Sequence, residues 1–197
     1  MGTRPAPRFD ALAFDLDGTL VDSGLDFAAL RRTLGFPEGI GLLEHIATLD
    51  DPAAVDHAHR VIHRFEMEGA RGATWMPGAR ELLDHLRDAG VPVAILTRNS
   101  RAAVAATDAA LSLGVELILT RDDAPPKPDP AGLLHIAETL GVAADRMAYV
   151  GDFIDDLTTA RRAGMVAGLY RNHRNSGYAD QADFVVRHFD ELRTQQA

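Results

Sequence analysis

Two aspartates separated by one residue stand in Asp15-Leu16-Asp17-Gly18-Thr19-Leu20, at the end of the apolar run Phe9–Leu16. Carboxylates this close repel each other unless a cation or a shared proton holds them. An ordinary acidic turn is the lesser alternative for these residues alone, Asp-Gly being a common turn pair. Three further clusters change the balance. Thr97 follows the apolar run Val91–Leu96, where its hydroxyl and the N–H groups of Arg98 and Asn99 at a helix start form an anion-binding corner. Lys127 lies inside Pro125-Pro126-Lys127-Pro128-Asp129-Pro130, and prolines on both sides restrict the backbone that carries its ammonium. Gly151-Asp152-Phe153-Ile154-Asp155-Asp156 closes another apolar run with carboxylates. Magnesium takes oxygen ligands and keeps several waters, so one or two of these plus Asp15 suffice to hold it. Each cluster has a plain structural reading, as a turn, a surface lysine or a helix cap. Together they supply a carboxylate nucleophile, a neighbouring acid, a hydroxyl, a cation and metal-binding carboxylates, which is what phosphoryl transfer needs.

The elements that must position these groups are short apolar runs, each followed by a polar loop and a helical pattern. The runs are Phe9–Leu16, Val91–Leu96, Val115–Thr120, Met147–Gly151, Val166–Tyr170 and Phe184–Val186. Apolar runs without alternation read as strands buried on both faces of a parallel sheet. Their alternation with helices predicts an α/β, doubly wound fold, with ligands at the carboxyl ends of the strands. Pro77 is expected in the first turn of a helix over Ala79–Ala89 that Gly90 stops, and an alanine-rich helix runs to about Leu113. Asp129 is expected to cap a helix opening at Pro130 and ending before Gly141. Asp155 and Asp156 open a helix that ends near Gly164.

Between about Asp22 and Trp75 no strand is expected. Phe27, Leu30 and Leu34, then Leu42, Leu43, Ile46 and Leu49, then Val55, Ala58, Ile62 and Phe65 recur at helical spacing. This predicts a small helical insert, with Gly24 and Gly72 as hinges near its ends.

Composition narrows the partners. The chain has 197 residues, 46% hydrophobic and 25% charged, ordinary values for a globular protein. Acidic residues outnumber basic ones, 29 to 20, for a formal net charge of −9. That balance argues against nucleic acid or an anionic membrane as partner. A bound cation and a few aimed donors still allow an anionic small substrate. The absence of cysteine excludes disulfides, thiolate metal sites and a cysteine nucleophile. No secretory or membrane-spanning pattern follows Met1–Arg8, with its Pro5 and Pro7, so a cytoplasmic enzyme is expected.

The ordered set Asp15-Leu16-Asp17-Gly18-Thr19-Leu20-Val21-Asp22-Ser23, Thr97, Lys127 and Gly151-Asp152 with Asp156 resembles the haloacid-dehalogenase-like superfamily. Pro77-Gly78 followed by Glu81, Leu82, Leu86 and Gly90 resembles the family's helix leading into the second strand. The resemblance covers Phe9 to Val21 and Pro77 to Val186. It implies a Rossmann-like catalytic core over 1–21 and 77–197, and a helical cap over 22–76 like that of the phosphoglycolate-phosphatase-like group. It also implies roles. Asp15 attacks phosphorus and forms an aspartyl-phosphate. Asp17 protonates the leaving alcohol and then activates water, with its backbone carbonyl on Mg2+. Thr97, Arg98 and Lys127 hold the phosphoryl group. Asp15, Asp17 and Asp152 make the metal site, and Asp155 or Asp156 stands behind, orienting Lys127 or metal-bound water. Dehalogenase members lack the second acid, so Asp17 points to a small phosphorylated metabolite as substrate. A sugar phosphomutase and a catalytically idle binding module on the same fold are the alternatives.

Phe153 stands where relatives often have a small polar residue, and Arg98 where many have Asn. His59 and His63, at four-residue spacing beside His57, could pair on a metal but are expected to be solvated. Arg171, His173 and Arg174 read as a solvated basic loop, and Trp75 as packing at the junction of cap and core.

Overall fold

A computed structural model describes residues 8–196. The segment containing Pro5 and Pro7 lies outside the described residues. In chain order the strands are β1 (Ala11–Phe14), β2 (Val21–Asp22), β3 (Thr74–Trp75), β4 (Val93–Leu96), β5 (Leu117–Leu119), β6 (Met147–Gly151), β7 (Val166–Tyr170) and β8 (Phe184–Val186). The helices are α1 (Phe27–Leu34), α2 (Leu42–Ile46), α3 (Pro52–Gly72), α4 (Ala79–Asp88), α5 (Arg101–Leu111), α6 (Ala131–Leu140), α7 (Ile154–Arg162) and α8 (Asp190–Gln196).

Six strands form one sheet in the order β5-β4-β1-β6-β7-β8, and every neighbouring pair is parallel. The first strand is therefore central, with Leu12 in register with Val93 on one side and Ala148 on the other. The chain turns to opposite sides of β1 at this point, which opens a crevice at its carboxyl end.

Both faces of the sheet are covered, which is why the strands read as continuous apolar runs. Leu12, Phe14, Leu82, Leu86, Ile95, Val150 and Phe189 pack on one face. Ala13, Tyr149, Leu133, Ile136 and Leu157 pack on the other. Each fully buried Leu or Phe contributes about 1.5–3 kcal/mol. Phe189, stacked on Tyr170 at 4.6 Å, ties α8 to this core.

Helices α1, α2 and α3 share a small core of Leu30, Ile46, Ala58 and Ile62. Asp26 caps α1 through the N–H of Ala29, and Asp51 caps α3 ahead of Pro52. A side chain at Gly69 would run into Leu25, so α3 crosses closely over the segment that enters α1.

Several local expectations are corrected. The helical segment is not strand-free at its ends, because β2 and β3 pair antiparallel, Val21 with Trp75 and Asp22 with Thr74. Two-residue strands are too short to show a period. Leu49 lies beyond the end of α2. Pro77 lies outside α4, which it precedes by two residues, and the N-cap is Gly78 at φ 78°, a left-handed turn that glycine adopts readily. Helix α6 opens at Ala131 rather than Pro130, with Asp129 accepting the Ala131 N–H at 2.9 Å. Among the described residues no helix is long and apolar enough to cross a membrane.

Candidate active site

The β1 ladder delivers Asp15 to the crevice: its N–H donates to the Val150 carbonyl at 2.9 Å. Gly18 then turns the chain at φ 80°, which places Asp17 over the same opening. Lys127 reaches in from the proline-bounded loop. Its Nζ donates to Asp15 Oδ1 and to Asp156 Oδ1, both at 2.6 Å, and to Tyr149 Oη at 3.1 Å. Tyr149 in turn donates to the Leu96 carbonyl at 2.9 Å. The ammonium is thus fixed from three sides in a site where Lys127 is only 5% exposed. Asp156 accepts the Phe153 N–H at 2.9 Å, and it packs where a side chain on Gly151 would have to go.

Asp152 ends β6 and lies beside this group. Its Oδ2 accepts a hydrogen bond from Asn172 Nδ2 at 3.0 Å, and its backbone carbonyl accepts one from Asn175 at 2.8 Å. One oxygen each from Asp15, Asp152 and Asp156 lie within 4.8 Å of one another, a set able to hold a metal ion.

Thr97 is buried at the end of β4, and its Oγ1 accepts the Asn99 N–H at 3.2 Å. The Asn99 side-chain amide donates to Asp17 Oδ2. Ser100 caps α5 and donates to Glu66 Oε2 at 3.0 Å. Glu66 comes from α3, and it also takes a two-pronged contact from the Arg121 guanidinium. The loops after β4 and β5 are thereby tied to the helical segment.

The electrostatics show how crowded the acids are. Burial pushes Asp15 up to about 8, with Asp156 and Asp152 adding to the shift and Lys127 opposing it. Burial and the Asp156 charge push Asp152 up to about 6. Asp17 is raised by burial, against hydrogen bonds from Ser23 and Asn99. Burial disfavours the charge on Lys127, yet Asp15 and Asp156 hold its pKa well above the ordinary value.

Asp15, Asp17, Thr97, Lys127, Asp152 and Asp156 therefore gather at one end of the sheet. Asp155 does not stand behind Lys127. It faces Arg98, whose guanidinium lies 3.3 Å from Asp155 Oδ2 and also pairs with Glu44 of α2. The Arg98 guanidinium is thus held by two carboxylates at the edge of the site, which leaves its backbone N–H as the group for the expected anion-binding corner. The Asp17 carboxylate is outside the three-acid cluster. His57, His59 and His63 are exposed, as are Arg171, His173 and Arg174. Trp75 packs partly buried against the core.

Tyr149, the Asn99 side chain, Asn172, Asn175 and the Glu66–Arg121 pair are the groups the sequence reading missed. Tyr149 read as one more apolar residue of a strand. The asparagines carry a weak signal, since Asn99 and Asn172 sit three and two residues past strands that end at the crevice.

A family model described as haloacid dehalogenase-like hydrolase matches residues 9–164. The chain belongs to that family. Among haloacid dehalogenase-like relatives it is 34% identical to a phosphoglycolate phosphatase of Chromobacterium violaceum, over 92% of this chain and 94% of the relative. It is 33% identical to an uncharacterized hydrolase of Saccharomyces cerevisiae, over 88% of this chain and 83% of the relative. Among solved structures, a HAD family hydrolase of Deinococcus radiodurans with bound phosphate and sodium superposes with a TM-score of 0.70 at 25% identity. That superposition covers 96% of this chain and 95% of the other.

A hard cation fits this haloacid dehalogenase-like site. The donors are carboxylate oxygens, and the three acids Asp15, Asp152 and Asp156 gather beside Lys127, which pairs directly with Asp15 and Asp156. Burial first, and the neighbouring acids after it, raise Asp15 and Asp152, and a bound cation would favour their charged forms.

Proposed function

We propose that this chain is a magnesium-dependent phosphatase, cytoplasmic, that hydrolyses a small phosphate monoester through an aspartyl-phosphate on Asp15. The observation that carries the reading is Lys127 at 2.6 Å from both Asp15 and Asp156, beside a cluster of three acids. The phosphoglycolate phosphatases among the relatives support it, as does the neighbour with bound phosphate.

On this reading, Thr97 and Lys127 hold the phosphoryl oxygens, and their positive and dipolar groups stabilise the charge that grows on them. Asp15 attacks phosphorus in line with the leaving oxygen, so a new O–P bond forms as the ester O–P bond breaks. Asp17 donates its proton to the departing alkoxide. Burial, which raises its pKa, keeps that proton available, and Asn99 orients the carboxylate. In the second step Asp17 takes a proton from water, the water oxygen attacks phosphorus, and inorganic phosphate leaves Asp15 free. Magnesium, held by Asp15, Asp152 and the Asp17 backbone carbonyl, supplies charge neutralisation for the two anions that must meet. Asp156 holds Lys127 in line.

Residues 22–76 form the cap on the catalytic core of 1–21 and 77–197 in this proposal. Arg98 joins them at Glu44, and Arg121 joins them at Glu66. A cap over the crevice excludes water and shapes the space for the leaving group.

The test is phosphate release from a panel of phosphorylated metabolites, with magnesium and with chelator, for the native chain and for Asp15→Asn. Release is expected only from the native chain with magnesium. Chelator-insensitive turnover would overturn the metal requirement. A folded Asp15→Asn chain that still turns over would overturn the covalent step.

A further inference from the structure

We infer that Asn172 is a metal-selectivity residue, which restricts Asp152 to a single ligating oxygen and so favours magnesium over calcium. The inference rests on the magnesium reading above and concerns a residue outside its machinery.

Asp152 Oδ2 is occupied from two sides. Asn172 donates to it at 3.0 Å, and a Cβ placed on Gly18 would lie 2.7 Å from it. The glycine lets the turn after Asp15 close against this oxygen, and the amide caps it. No donor reaches the other oxygen, Oδ1, among the described residues. Asp152 is thereby prepared to offer one oxygen to a cation and not two.

The amide is itself held. Asn175, 3% exposed, accepts the Asn172 N–H through Oδ1 at 2.9 Å. Its Nδ2 donates to the carbonyls of Asp152 at 2.8 Å and Tyr170 at 2.9 Å. Asn172 Oδ1 accepts the Arg174 N–H at 2.8 Å, which leaves Nδ2 pointing at Asp152. The loop after β7 is thus locked to the end of β6 around one carboxylate.

The distinction matters because the two cations differ in what they ask of a carboxylate. Magnesium keeps near-ideal octahedral geometry, retains waters and takes carboxylates through one oxygen. Calcium accepts six to eight oxygens and readily takes both oxygens of one carboxylate. Fixing one oxygen on a protein amide orders the site for the first ion and removes a ligand from the second. Outer partners of this kind commonly change metal affinity by about 10–100-fold.

The experiment is cation binding without substrate, followed by titration calorimetry and by the rise in melting temperature, for magnesium and calcium separately. The native chain is compared with Asn172→Ala and Asn172→Asp. The aspartate variant keeps the acceptor for the Arg174 N–H, so the loop retains its turn, but it loses the donor to Asp152. In both variants the ratio of calcium to magnesium dissociation constants is expected to fall at least about tenfold. A general loosening of the loop would weaken both ions together and leave the ratio where it was, which overturns the inference. A native chain that binds neither cation overturns the inference together with the metal reading on which it rests. A native chain that prefers magnesium, with variants that prefer it equally, overturns the inference alone.

Discussion

Asp155 and Asp156 are adjacent in the chain and face different cations: Asp156 accepts from Lys127 at 2.6 Å, and Asp155 lies 3.3 Å from Arg98. Successive residues of a helix point about 100° apart, so the first turn of α7 can serve two directions at once. One direction is the buried Lys127. The other is the edge of the crevice, where Arg98 continues to Glu44 on α2. The acidic first turn also suits the positive end of the helix dipole.

The Glu66–Arg121 pair predicts a stability effect. Glu66 is 7% exposed, so cutting its side chain away leaves Arg121 with a poorly hydrated charge. Glu66→Ala should destabilise the fold by about 3–5 kcal/mol, the usual cost of breaking a buried pair. Asp84→Ala should cost only about 0–1 kcal/mol, because both members of the Asp84–Arg87 pair are more than half exposed. Urea denaturation of the two variants checks the contrast, and equal midpoints would refute it.

Asp17→Asn tests the proton donor. The backbone carbonyl survives the change, so cation binding should persist. Loss of general acid help should slow phosphorylation of Asp15 by alkyl phosphates about 10²–10⁴-fold. A nitrophenyl phosphate, whose leaving group needs no proton, should lose far less in that step. Rapid-mixing measurements of the first turnover decide the matter, and equal slowing of both substrates would assign Asp17 a structural role.

Asp152 predicts a dependence on pH that chelator exposes. Its pKa is raised to about 6 in the folded chain, against about 3.9 in an unfolded one. Between those values the folded state holds more protons than the unfolded state, so the contribution of this group to stability falls as pH rises from about 4 to 6. In chelator, Asp152→Asn should therefore melt higher than the native chain at pH 7.5, and the gap should close towards pH 4. Magnesium should reverse the order at pH 7.5, since the native carboxylate can then ligate it. Melting curves at the two pH values, with each addition, give the answer.

What could be read from the chain and what could not differ in kind. Asp15, Thr97 and Asp152 were legible because each lies at the end of an apolar run, and the carboxyl ends of parallel strands converge, while Lys127 was legible from the prolines that bound its loop. Asp156 was legible only jointly with Asp155, since spacing gives no direction until Gly151 makes room for one of them. Tyr149 looked like core because its ring is core, packed with Leu133 and Leu157, while only its hydroxyl reaches Lys127. Asn172 and Glu66 act across the fold, on Asp152 and on Arg121, and nothing local to either residue names the partner.

The central place of β1 has a consequence for how the protein is made. Its two partners, β4 and β6, are translated long after it, as the pairing of Leu12 with Val93 and with Ala148 shows. An emerging chain that has not yet passed Gly151 carries a fully apolar strand with at least one edge bare. Such an edge is open to pairing with another chain. Distant pairings of this kind also slow the search for the native topology. A ribosome stalled before Met147 should therefore hold a chain that chaperones recognise, whatever becomes of the helical segment that has already left the tunnel.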